Sequence, residues 1–536
     1  MILTFSNFCV SGRISGRFLG MLSVLLAFSL STTAGAQERL INIKVAQYEN
    51  YLDFSCPHGA AWNIGQNSGS ILGNDKCSLS GVIEKKAVKR YHVIVASVSM
   101  REPIVIFKIV REWETLKHPV NTLIIGKPLF GLDDRTLLND GREALIEVGV
   151  FPDFQSAQAL VDKLASEGKS SWIFVEVVSL SKGKITLKVN SQEVGFGENL
   201  LLAPKENVML RKVEHGMGYP WHGFADRNYR GTMVFQWGAQ DAIDCILKTQ
   251  LERVLAGVVP SEISSKAEIG ALQAQATAAR GEILGKLGIR HVNEGFDTCS
   301  EQHCQVFAGE TSETAVIAAK ISPTRGLVLT KPAGGIVDAV YSSNCGGHGE
   351  ANHLVWTTPP DPILNGVWDS ENAPNLDLSE EEQAGVFIDN PPNCYCKDPL
   401  VEGGDKFRWR KNISPAEWNL IETKLGVGKI KKITDIARGF SGRIYRLTFV
   451  GNQGSKTLMK ELNIRKLFGG LRSSCFVSTW NHDSEGFISG GSLSGAGFGH
   501  GVGMCQTGAQ SLAKKGWTFE RILSHYFPGG ILKKWY

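Results

Sequence analysis

The segment Thr249-Gln-Leu-Glu-Arg-Val-Leu-Ala-Gly257-Val-Val-Pro260-Ser-Glu262-Ile-Ser-Ser265-Lys-Ala-Glu268 governs how the second half of the chain is expected to fold. Leu251, Val254, Leu255 and Val258 recur at helical spacing, which predicts a helix running into Gly257-Val-Val-Pro260. Proline lacks the backbone N–H that a helix interior requires, so Ser261-Glu262-Ile263 is expected to fall in a break. A new helix should start at Ser264 or Ser265, with Glu268 at the capping-box spacing from Ser265. The run Ala267 to Leu287 that follows carries Ala271, Ala274 and Ala278, a face small enough for close packing. Glu262 is thus expected in a short turn between two packed helices, where a carboxyl can lose water and keep its proton near neutral pH. On residue pattern alone, an ordinary solvated turn carboxylate is the better-supported reading.

Working toward the N-terminus, residues 183–245 are strand-rich, with alternation in Lys184–Val189 and Leu200–Val213. Before them, Tyr91 to Val98 and Asn121 to Gly126 read as strands separated by a helical stretch. The pattern recurs: Ala144 to Phe151 reads as a strand, and Asp153 to Gly168 as a helix with Ala157, Ala159, Leu160 and Leu164 on one side. Trp172 to Val178 closes the unit, so residues 91–180 predict a ferredoxin-like duplication of strand–helix–strand. Residues 38–90 read as a separate β-rich or irregular segment. At the start, Arg13 and Arg17 precede an apolar run, Phe18 to Leu30, and Ala34-Gly35-Ala36 supplies a small-residue cleavage site. That order is a signal peptide over 1–36, and export is the expectation. The fold class expected for the whole is α+β and multi-domain, its last part spanning 246–536.

The 536 residues are 43% hydrophobic and 21% charged, which excludes a disordered, fibrous or polytopic membrane chain. A net charge of +4 is small for this length and implies no nucleic-acid partner. Of 11 cysteines, Cys9 leaves with the signal. The others, among them Cys56/Cys77 and Cys394/Cys396, can form disulfides in an oxidising compartment, with a connectivity that sequence leaves open. Cys299, His303 and Cys304 form a compact set whose imidazole and thiolates suit Zn²⁺, with a disulfide as the competing reading. His348 and His500 are the candidate fourth ligands. Gly497, Gly499, Gly501 and Gly503 alternate through a loop that ends near Gln506. Ser489–Ala496, rich in Gly and Ser, does not read as a strand, which argues against a dinucleotide-binding fingerprint.

Gly257-Val-Val-Pro-Ser-Glu262-Ile, followed by Ala271-Leu-Gln-Ala-Gln-Ala-Thr-Ala-Ala-Arg280, resembles the signature of the SpoIID/LytB family. The resemblance continues in order through Phe296 to Gly309, Thr324-Arg-Gly326 and Val340-Tyr-Ser-Ser-Asn-Cys345-Gly-Gly347. It then runs through Ser441-Gly-Arg443, Leu471-Arg-Ser-Ser474, Gly497 to Ala509 and His525-Tyr-Phe-Pro-Gly529, covering roughly 220–536. Two departures are Ile263 in place of the commoner Met, and Gly281-Glu282 where the family usually has Thr-Tyr. The resemblance implies a lytic transglycosylase with Glu262 as its acid. Such an enzyme cleaves peptidoglycan glycan strands stripped of stem peptides and leaves 1,6-anhydro-muramic ends. Arg280, Ser343, Gly499, His500, Gly501 and Gln506 become candidate substrate contacts, with the glycine loop letting backbone approach a sugar. Some members hold zinc at positions like Cys299, His303 and Cys304; the implied chemistry itself requires no cofactor. A competing reading from the same family is a non-catalytic enhancer of an N-acetylmuramoyl-L-alanine amidase, and a third is a true glycosidase. Residues 91–180 resemble a SPOR domain, a septal-glycan-binding module, through Gly149-Val-Phe-Pro-Asp-Phe-Gln-Ser-Ala-Gln-Ala.

Overall fold

Strand Lys182–Val189 buries Gly183, Ile185 and Leu187 while Lys182, Lys184 and Lys188 face water, the period-2 pattern of a sheet with one wet face. The structure, a computed structural model, describes residues 39–131, 135–218 and 221–536; the expected signal peptide lies outside the described residues. Lys182–Val189 pairs with Cys77–Lys85 in a six-stranded sheet, ordered Gln192–Gly197, Lys182–Val189, Cys77–Lys85, Tyr51–Ser55, Val208–His215, Gly223–Tyr229. A seven-stranded sheet, ordered Thr298–Cys299, Leu40–Tyr48, Ile243–Gln250, Thr232–Trp237, Asn199–Pro204, Ala60–Ile64, Asn67–Ile71, shares its core. Ile43, Phe54, Ile64, Leu187, Leu202 and Phe235 lie in one apolar cluster between them. Segments 38–90 and 183–245, which pattern separates, therefore interleave in the same two sheets. The physical reason is that neither segment alone has enough inward-facing residues to cover its own apolar face.

Residues 88–179 are inserted into this double sheet. Their four strands stand in the order Trp172–Ser179, Val88–Ser99, Glu143–Phe151, Asn121–Ile125, all antiparallel, and are crossed by helices Pro103–Thr115 and Phe154–Ser166. Numbered along the module, the strands run 4-1-3-2, the ferredoxin-like arrangement. Asp153 caps the second helix by accepting a 2.8 Å bond from Ser156 N–H.

Beyond residue 250 the chain is helical where it meets the double sheet. Helix Leu251–Glu262 and helix Ile269–Gly285 join the same apolar cluster, and the second packs against Gln506–Lys514 and Phe519–Tyr526. Every residue from Gly270 to Leu284 is buried, so Ala271, Ala274, Ala276, Ala278 and Ala279 are small because helices surround them. A second lobe holds two three-stranded sheets around Trp418, Phe449 and Leu493. The whole is α+β. Among the described residues no helix is long and apolar enough to cross a membrane.

Three local expectations are corrected here. Helix Leu251–Glu262 runs through Pro260 and ends on Glu262, with no break before it. Pro260 lies in the last turn, where it forfeits one intrahelical bond, and the Ser261 hydroxyl donates to Gly257 O at 2.8 Å. The next helix starts at Ile269; Glu268 occupies the cap position without a side-chain bond, and Ser265 Oγ instead donates to Glu313 at 2.8 Å. Ile488–Ala496 is a strand, the centre of a three-stranded sheet. The Trp480 and Trp409 rings lie where Gly491 and Gly495 would carry side chains, so aromatic cover replaces the branched residues a strand usually shows. That strand leads into a loop and the short strand Met504–Cys505 before any helix, so the dinucleotide reading still fails.

Candidate active site

Glu262 ends its helix with its side chain partly exposed and its two oxygens held from different parts of the chain. Val306 N–H donates to Oε1 at 2.9 Å, and Gln506 Nε2 makes a longer contact to Oε2 at 3.5 Å. Gln506 also donates to Gln275 Oε1 at 3.4 Å. Gln275 rises from the Ala-rich helix, Gln506 opens the helix after the glycine loop, and Val306 follows the Cys/His segment. Burial pushes the Glu262 carboxyl up to about 7, and the charge of Glu282 adds to this. The Val306 N–H and Gln506 oppose the shift but do not cancel it. A part-exposed carboxylic acid that is still protonated in about half of the molecules at pH 7 can protonate a leaving oxygen.

Glu282, the other carboxylate that acts on Glu262, is 6% exposed and engaged elsewhere. Arg290 pairs with it at 3.0 Å, and the Gln305 amide donates to its second oxygen. It is poorly placed to activate water or to attack a sugar carbon. Tyr341, whose hydroxyl is buried, is held protonated far above its usual range by burial first and then by the charges of Glu262 and Glu282.

The expected site residues divide into two groups. Gln506 meets Glu262 directly. Ser343 stands behind it: its carbonyl accepts from Thr507 N–H at 3.1 Å, and its hydroxyl accepts from Lys406 at 3.0 Å. His500 makes no hydrogen bond to Glu262. Its Nδ1 accepts from Val502 N–H at 3.0 Å, its ring packs 5.1 Å from Trp356, and it bonds the Tyr341 backbone. Burial and nearby Arg443 and Arg465 lower it to about 3, so the ring is neutral and orders the loop. Arg280 is a correction. Fully buried, it forms a two-pronged pair with Glu252 at 2.8 and 2.7 Å and donates to Leu327 O at 3.0 Å. Its place one helical face away from Gln275 turns it into the bundle. Gly501 is corrected similarly, whereas Gly499 stays part-exposed. At Gly501, φ is +82°, and a Cβ would stand 2.5 Å from Arg443 Cζ. The buried Arg443 guanidinium donates to Gly499 O and Cys345 O, each at 3.2 Å. Gly497 and Gly501 make room for this arginine, and Gly499 carries one of its acceptors.

Sequence reasoning missed Val306, Gln275 and Tyr341. All three lie inside the motif blocks, but only packing shows which side chain or N–H in each block turns toward Glu262.

Cys299, His303 and Cys304 meet, and His291 completes the set, displacing His348 and His500 as the expected fourth ligand. Their ligand atoms lie within 4.8 Å of one another, with His291 Nε2 to Cys304 Sγ at 3.2 Å and His303 Nδ1 to Cys304 Sγ at 3.5 Å. A tetrahedral zinc with bonds of about 2.0–2.3 Å sets its ligands about 3.3–3.8 Å apart, so the donors fit. His291 Nδ1 faces Glu294 at 3.1 Å, the outer carboxylate that orients a ligating imidazole. His348 is remote in role: its Nδ1 bonds Gly349 O and its ring packs on Trp368. All ten cysteines among the described residues are free thiols.

With this geometry in place, comparison with known proteins locates the chain. The family described as "Stage II sporulation protein" (SpoIID) matches residues 239–330, which include Glu262, Gln275 and Val306. A "Domain of unknown function (DUF8618)" matches residues 350–503. The chain is similar to the amidase enhancer of Bacillus subtilis strain 168, 26% identical over 65% of this chain and 50% of that protein. The chain thus spans about half the length of that relative. It is also similar to stage II sporulation protein D of the same organism, 29% identical over 52% of this chain and 73% of the relative. An uncharacterized protein of Brachyspira hyodysenteriae is 24% identical over 66% of this chain and 81% of its own length. The chain thus carries a SpoIID-family segment, residues 239–330, that contains the acid together with Gln275 and Val306, and two of the relatives it is similar to bear the names of the SpoIID/LytB family.

Proposed function

We propose that this protein is an exported lytic transglycosylase that cleaves peptidoglycan glycan strands, with Glu262 as its acid and then its base. The observation that carries the reading is the Glu262 carboxyl, raised to about 7 by burial yet part-exposed, with no second free carboxylate beside it among the described residues. Breaking a glycosidic bond requires a proton on the leaving oxygen as C1 gains positive character. Protonated Glu262 donates it. A hydrolase then needs a second carboxylate to activate water or to attack C1. Glu282 is tied to Arg290 and Gln305, which favours attack by the muramic 6-hydroxyl on its own C1. Ionised Glu262 accepts the proton of that hydroxyl, closing the 1,6-anhydro ring and restoring the acid. Val306 N–H and Gln506 steady the carboxylate during the interval when it is charged.

The SpoIID match and the named relatives support a peptidoglycan-related role, and the ferredoxin-like insertion supports a second, SPOR-like contact with glycan. Zinc at His291, Cys299, His303 and Cys304 would act structurally, tying the segment before Val306 to strand Leu40–Tyr48 through the Lys44–Cys299 register. The name of the Bacillus amidase enhancer favours a second reading, a glycan-binding activator of an N-acetylmuramoyl-L-alanine amidase. Mass spectrometry of products from amidase-treated glycan separates the two. The transglycosylase reading expects anhydro-muramic ends from wild type and none from Glu262→Gln. The enhancer reading expects no anhydro products from either, with increased amidase output from both.

A further inference from the structure

A second metal-ligand set lies away from the Cys/His segment, buried where residues of the 350–503 segment meet the chain on either side of it. Cys345, Asp369, Cys396 and Cys505 offer three sulfurs and a carboxylate oxygen within 4.8 Å of one another. Their exposures are 4%, 0%, 0% and 1%. Cys345 follows strand Tyr341–Ser342, which pairs in parallel with Met504–Cys505. Cys396 sits in a single turn of helix, Tyr395–Lys397, and Asp369 in the loop that bonds it.

Disulfide chemistry accounts poorly for this set. Cys345 Sγ and Cys396 Sγ are 3.6 Å apart, but a bond between any two of the sulfurs would leave a third thiol and a carboxylate buried together. The surroundings suit anionic sulfur instead. Cys505 Sγ accepts N–H bonds from Cys345 at 3.2 Å and Gly508 at 3.4 Å, and Cys345 Sγ accepts one from Gly347 at 3.4 Å. Asp369 is oriented from outside: Tyr526 Oη donates to it at 2.6 Å, and Cys396 N–H at 2.9 Å. Such outer donors hold ligands in place and spread the charge of a thiolate centre. Arg408, whose donors go to the carbonyls of Phe387, Ile388, Gly346 and Phe407, adds a half-buried positive charge that acts on Cys345 and Cys396.

We propose that Cys345, Asp369, Cys396 and Cys505 bind one structural Zn²⁺, separate from the His291 set. The three thiols each release a proton as their sulfurs coordinate, as does the Asp369 carboxyl where it is protonated, so no oxidant or reductant is involved. Three thiolates and one hard oxygen around a closed, buried centre are the chemistry of a zinc that organises structure, with no open position for substrate. The ion joins Asp369 and Cys396, inside the 350–503 match, to Cys345 and Cys505, which flank it on either side in the chain. Cys505 is also the N-cap of helix Gln506–Lys514, so the metal would fix the start of the helix whose first side chain touches Glu262.

The test uses the full chain with both metal sets and zinc alone as the probe. Elemental analysis after dialysis should give about two zinc per wild-type chain and about one in the double variant Cys299→Ser, Cys304→Ser. In that double variant, replacing zinc by Co²⁺ should give strong thiolate-to-cobalt absorption, and chelator should make Cys345, Cys396 and Cys505 newly reactive toward an alkylating reagent. Asp369→Asn added to the double variant should lower the metal content further. A double variant that folds but holds no metal would overturn the proposal, as would a Cys345–Cys396 disulfide found by peptide mapping. Because the readouts are metal content and thiol reactivity, they stand or fall independently of glycan cleavage by Glu262.

Discussion

Replacing Glu262 by Gln keeps the shape of the side chain and its bond from Val306 N–H while removing the transferable proton. The structure sets the size of what is lost. A carboxyl at its ordinary value of 4.5 is about 3% protonated at pH 6, and one at about 7 is about 90% protonated, so burial raises the population of the acid about 30-fold. General acid catalysis contributes a further ~10²–10⁴ in rate when a positioned group is present at all. Glu262→Gln should therefore reduce the release of anhydro products at least ~100-fold at pH 6, with glycan binding retained. The wild-type rate should stay level below about pH 6 and fall about tenfold per pH unit well above 7. A folding control follows from the same shift. Because the folded-state value is raised, the native state holds more protons than the unfolded chain between about pH 4.5 and 7, so stability falls as pH rises through that window. Above it the full cost of an ionised Glu262 is present, and Gln removes that cost. The variant should accordingly melt at or above the wild-type temperature at pH 8. A variant that keeps more than a tenth of wild-type product release, or a wild-type profile level to pH 9, refutes the reasoning.

Arg280→Met should cost about 2–3 kcal/mol in urea denaturation by leaving half-buried Glu252 with only Tyr536 and Gly326 as donors; normal stability with lost cleavage would return Arg280 to the substrate. Gly501→Ala combines a φ of +82° with a contact on Arg443, so it should lose more than about 1 kcal/mol, read as a lower melting temperature. His291→Ala should remove about one zinc per chain by elemental analysis, and an unchanged zinc content would take His291 out of the ligand set.

Why the sequence carried so much of this reading is clearest at Glu262. Its motif, the small-residue helix after it and the blocks containing Val306 and Gln506 can all be read in order from the chain, because close helix packing demands Ala and a bonded carboxyl demands fixed neighbours. The ferredoxin-like insertion was legible for a similar reason: alternating and helical periods are local properties, and two copies of the pattern leave few ways to order four strands. What only the tertiary structure decided was partnership across long separations. Arg280 could have faced the substrate or the bundle, and the presence of Glu252 on the neighbouring helix settled it. The alternating glycines look made for a ligand until Arg443, distant in sequence, is found filling the space that Gly497 and Gly501 leave. His291 joins Cys299, His303 and Cys304 because its loop folds back, and Cys345, Asp369, Cys396 and Cys505 meet although 160 residues separate the first from the last. Spacing along a chain encodes periodicity and local turns; which side chains share a buried volume depends on how whole elements pack.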